Sequence, residues 1–79
     1  MQRLKVDMNI GNNMRILRKT YKCTQDQIIA KLGILGISLT RSTYSRFETG
    51  ELNVPVSVLV ALHKIYRCSY DDFFKDLDL

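Results

Sequence analysis

The chain has 79 residues, 46% hydrophobic and 25% charged, enough for one domain around one modest core. No apolar run approaches the roughly 20 residues needed to span a bilayer, and residues 1–7 lack the apolar stretch of a secretory signal, so no membrane role is expected and the cytoplasm is the expected location. The net charge of +4 is uneven: nine Lys/Arg meet three Asp/Glu in residues 1–50, and three meet five in residues 51–79. A basic front favours a polyanion on one face, although an imbalance of this size also describes an ordinary solvated surface.

One proline, four glycines and no tryptophan favour helices over a turn-rich sandwich. Cys23 and Cys68 lie in no CxxC or Cys/His cluster, so they read as small hydrophobes, and neither metal nor cofactor is expected. Residues 1–8 have no strong period and form a candidate N-terminal arm, with the folded domain over 9–79. Asn9 is a candidate cap for a first helix over about 10–21. Its apolar positions are Ile10, Met14, Leu17 and Tyr21, opposite Arg15, Lys19 and Lys22.

Thr24-Gln25-Asp26-Gln27 is a capping box: the Thr24 hydroxyl accepts from the backbone three residues on, and Gln27 reaches back to the Thr24 N–H. Ile28, Ile29 and Leu32 form the buried side of this second helix. Gly33 and Gly36 break its pattern, and Ile34, Leu35, Ile37 and Leu39 make an apolar connector. Thr40 caps a third helix ending near Thr49, with Gly50 free to turn left-handed. Pro55 suits the start of a fourth helix, with Leu59, Leu62, Ile65 and Tyr66 in the core. Ser69 caps a short fifth helix with Asp71 and Asp72 in its first turn; Phe73, Phe74 and Leu77 offer apolar surface there.

The third helix carries the most chemistry. Its spacing turns Tyr44 and Phe47 inward and leaves Arg41, Ser42, Ser45 and Arg46 outside. A short helix with hydroxyls and arginines on its leading turn suits the major groove of DNA. The alternative for Tyr44 and Phe47 is base stacking; core packing fits their spacing of three better. His63, the only histidine, has no nucleophile or acid pair near it in sequence and reads as a surface residue. Catalysis is not expected.

Several pieces in order resemble the helix-turn-helix family of phage repressors and Cro proteins, the Xre type. They are Leu17-Arg18 in the first helix, Thr24-Gln25 opening the second, the run Ser45-Arg46-Phe47-Glu48-Thr49-Gly50, then Leu59, Leu62 and Tyr66, and Ser69-Tyr70-Asp71-Asp72-Phe73. The resemblance implies an all-α, five-helix bundle of the phage-repressor type, its second helix lying across the DNA backbone and its third in the major groove. It implies DNA contacts from Gln25, Arg41, Ser42, Thr43, Ser45, Arg46, Thr49 and Asn53. Arg41 and Arg46 would dominate, divided between guanine and phosphate in a way the sequence leaves open. It further implies a partly buried ion pair between Arg18 and Glu48, against the alternative that Arg18 meets a phosphate.

Three departures from the family's pattern stand out. The turn between the second and third helices is about five residues longer than usual, over 35–39. Ile29 stands where a small alanine is common. Glu51 and Leu52 occupy a loop that is often basic. The expected function is a sequence-specific regulator of transcription, a repressor that binds double-stranded DNA as a homodimer on a two-fold operator. Phe74, Leu77 and Leu79 supply its candidate dimer surface. The alternative is a protein-interaction module, an antitoxin or adaptor that uses the apolar connector as a contact patch for a partner protein.

Overall fold

A computed structural model describes residues 9–77. The expected N-terminal arm, and Leu79 of the expected dimer surface, lie outside the described residues. Four α-helices follow in order, α1 (Gly11–Thr20), α2 (Gln25–Ile34), α3 (Arg41–Thr49) and α4 (Val56–Tyr66), and no strand occurs among the described residues. The expected fifth helix is instead a single 3-10 turn, Tyr70–Phe73. Ser69 caps that turn as expected, accepting from Asp71 N. Phe73, which the sequence places at the surface, is fully buried and ends the element in the core.

Helices α2 and α3 start where their cap chemistry says. The Asn9 side chain accepts from Gly11 N at 3.1 Å, although the capping position itself is Ile10, one residue later than the sequence suggests. Thr24 and Gln27 complete the capping box of α2. Thr40 Oγ1 accepts from Thr43 N, and Gly50 closes α3 at φ 84°. Gly33 does not break α2; it remains inside it. The stop comes at Gly36, at φ 90°. Ile37 N donates to Leu32 O and Gly36 N to Gly33 O, the paired bonds of a left-handed helix stop that favours glycine.

The core gathers one stripe from every element: Ile10 and Met14 from the α1 end, Ile28 and Leu32 from α2, Tyr44 and Phe47 from α3, Val58, Ala61, Leu62 and Tyr66 from α4, then Cys68 and Phe73. Val58 and Ala61 are more deeply buried than Leu59 and Ile65, which only pack against the cluster. Two devices draw α1 against its neighbours. Gly11 lies directly under the end of α3, where a Cβ would sit 2.6 Å from the Glu48 carbonyl oxygen and closer still to that of Phe47. Asn13 Nδ2 donates to the carbonyls of Phe73 (2.9 Å) and Lys75 (2.8 Å), fastening the end of the described chain to α1.

The apolar connector divides in two. Ile37 and Leu39 pack against the core, whereas Ile34 is 85% and Leu35 46% exposed. The dimer surface expected at Phe74 and Leu77 is likewise divided, because Leu77 packs onto the core and only Phe74 stands exposed. Tyr21, expected in the core, lies at its rim stacked on Tyr66 at 5.1 Å. His63 is half-buried rather than superficial, stacked on Tyr70 at 3.9 Å.

Candidate nucleic-acid interface

The α3 helix separates its residues by face. Tyr44, Phe47 and Glu48 are buried, while Arg41, Ser42, Arg46 and Thr49 are exposed and Thr43 and Ser45 half-exposed. Helical spacing aligns 41, 42, 45, 46 and 49 along one side. Asn53 follows, exposed, in the loop before α4. The edge-on contact of Tyr44 with Phe47, ring centroids 6.5 Å apart, fixes the inner face of α3. Neither ring is available for base stacking, since both are buried.

Beneath this face lies a buried polar group. Arg18 Nε meets Glu48 Oε2 at 2.7 Å and Arg18 Nη2 meets Glu48 Oε1 at 3.1 Å, with Arg18 Nη1 donating to the Cys23 carbonyl at 2.9 Å. Arg18 thereby spends its donors inside the protein. Burial alone would push the Glu48 carboxyl up, but the hydrogen bonds from Arg18 and Gln25 outweigh it and hold the carboxyl below its ordinary value. The Glu48 hydrogen bond correspondingly raises the Arg18 pKa. Tyr44 and Tyr66 hydroxyls are buried without a hydrogen-bond partner among the described residues. Their burial pushes both phenols well up, so they stay neutral.

The polar group reaches the surface through Gln25. Its Nε2 donates to Glu48 Oε1 at 3.1 Å, and its Oε1 accepts from Arg41 Nε at 3.4 Å. Arg41 Nη1 also meets Asp26 Oδ2 at 3.3 Å. The structure therefore joins Arg18, Glu48, Gln25 and Arg41 in one line from the core to the leading turn of α3. Thr43 and Thr49 are partly engaged within the chain: the Thr43 and Thr40 hydroxyls share a hydrogen bond, and the Thr49 hydroxyl bonds Glu51 Oε1 and the Arg46 carbonyl. The side chain that sequence reading missed is Asp26. An acid in the first turn of a helix reads as a dipole partner, and nothing in the sequence links it to an arginine 15 residues on.

This arrangement is a helix–connector–helix unit braced by a third helix, with polar side chains on the outer face of its last element. The helix-turn-helix family model matches residues 14–73, more than half the chain. The chain belongs to the helix-turn-helix family. No curated protein and no solved structure matches it closely enough to count as a relative. As a helix-turn-helix protein of the Xre and Cro kind it falls among the DNA-binding regulators of transcription, with double-stranded DNA as partner. No helix among the described residues of this helix-turn-helix protein is long and apolar enough to cross a membrane.

Proposed function

We propose that the protein is a sequence-specific repressor that places α3 in the major groove and reads a two-fold operator as a homodimer, without enzymatic activity. The observation that carries this reading is the outer face of α3. Arg41, Ser42, Ser45, Arg46 and Thr49 share one side of a helix whose other side is buried. Arg41 and Arg46 supply planar forks suited to guanine or phosphate, while serine and threonine hydroxyls adapt to either base pair. The Gln25 end of α2 lies beside that face, where backbone N–H groups also attract phosphate, and exposed Asn53 follows in the loop after α3. One helix this short makes few base contacts, and two copies reading half-sites one turn apart multiply them.

Selection of duplexes from a random pool with the purified protein tests the reading. An enriched palindrome supports a dimeric reader. No enrichment at moderate salt overturns it.

A second reading, a protein-interaction module, is favoured by one observation. Ile34 and Leu35 line a shallow groove with Lys31, Lys64 and Ile65 at the far end of α2 from Gln25. An apolar floor between two lysines suits a partner segment of mixed apolar and acidic residues. Under this reading, the protein binds DNA weakly and without sequence preference.

A further inference from the structure

We propose that Asp26 is a specificity-setting residue, holding the Arg41 guanidinium away from the phosphate backbone and presenting its remaining N–H edge to a base. The inference rests on the DNA-reading role proposed above for α3.

Three features of the contact point to this role. Asp26 is a carboxylate beside the leading turn of α3, where a negative charge opposes binding to any DNA sequence. Its contact with Arg41 is 3.3 Å long between side chains that are 66% and 72% exposed, too solvated to matter much for folding. The guanidinium is also held from a second direction by Gln25, which is anchored in turn on buried Glu48. Arg41 is thus oriented at Nε and Nη1, and Nη2 carries neither contact.

An unrestrained arginine beside DNA takes the nearest phosphate, a contact blind to sequence. A carboxylate already in contact competes with that phosphate, so a backbone contact gains Arg41 less. Guanine O6 and N7 are met by a guanidinium already biased towards one orientation, which leaves less freedom to lose on binding. Asp26 weakens all binding slightly and weakens wrong-sequence binding most. Arg46 provides the internal comparison, because it has no ion-pair partner among the described residues.

The experiment uses the whole purified chain and three sets of duplexes: the sequence enriched from a random pool, its single-base variants and a scrambled duplex. Wild type, D26N, R41A, R46A, D26N/R41A and D26N/R46A are titrated over a salt series, with thermal melts run in parallel. Asparagine keeps the size and an acceptor oxygen and removes the charge. We expect D26N to bind the scrambled duplex several-fold more tightly, with a salt slope steeper by about one. Its preference at one base pair should fall about fivefold or more. That loss should vanish in the R41A background and persist in the R46A background. Equal tightening on every duplex, surviving in R41A, would mean a plain field effect and overturn the assignment, as would no change at all. A wild type that enriches no sequence fails earlier, at the DNA-reading role itself, and takes the assignment with it.

Discussion

Arg18 on α1 grips Glu48 on α3 with two contacts, 2.7 and 3.1 Å long, directly beneath the face that carries Arg41 and Arg46. Cys23 and Gln25 complete the set, so one buried pair ties α1, the turn after it, α2 and α3. Removing one partner leaves an uncompensated buried charge. E48A is therefore expected to cost about 3–5 kcal/mol in urea unfolding. Removing both partners, as R18M/E48M, should cost less than E48A alone. A stability for E48A equal to wild type would show that the pair does not brace the fold.

The same pair gives stability a pH dependence of known sign. Glu48 titrates below its ordinary 4.5 when folded, so the unfolded chain takes up its proton first as pH falls. The stabilisation is complete above that ordinary value and is lost as pH drops through the depressed folded one. The urea midpoint should fall as pH drops below the ordinary 4.5 and through the depressed folded value. The fall should be shallower in E48Q, which has no carboxyl to titrate there. Parallel profiles for the two proteins would assign the slope to other carboxylates.

Gly11 is expected to tolerate no side chain. A Cβ would press on the carbonyl oxygens of Phe47 and Glu48, backbone atoms in the last turn of α3 that cannot rotate away. Although alanine is the better helix former, G11A should lose about 1–3 kcal/mol by overpacking. It should also weaken DNA binding by shifting α3. A G11A protein as stable as wild type would show that α1 and α3 can separate at no cost.

Arg67 ends α4 in the left-handed conformation, at φ 53°, which strains an L side chain and suits glycine. R67G should raise stability by about 0.5–1 kcal/mol, after allowing for the extra freedom of glycine in the unfolded chain. A thermal melt decides it: a lower melting temperature would mean that the Arg67 side chain contributes more than its backbone strain costs.

Most of the framework was legible because it is local. The capping box Thr24–Gln27, the Thr40 cap and the left-handed Gly50 each depend on residues within a few positions, and all appear as read. The inward turn of Tyr44 and Phe47 followed from helical spacing alone. The errors fall where distant packing decides. Ser69 caps a single 3-10 turn because Phe73 enters the core at once. Leu77, which the sequence places at the surface, packs against the core, since Asn13 draws the nearby backbone onto α1. The connector reads in sequence as one apolar unit, yet the left-handed stop at Gly36 sends Ile37 and Leu39 inward and leaves Ile34 and Leu35 outside.

The sequence by itself determined the number of α-helical segments before residue 67, the caps of α2 and α3 and the polar outer face of α3, because these rest on spacing and short-range hydrogen bonding, and its motifs in order carried the resemblance to the family. Only the tertiary structure decided how Arg41 is held. Gln25 and Asp26 lie 16 and 15 residues before it, and they meet it only because α2 and α3 pack with the start of one against the start of the other. A carboxylate and a guanidinium so far apart in sequence carry no mutual signal until packing fixes the distance between them.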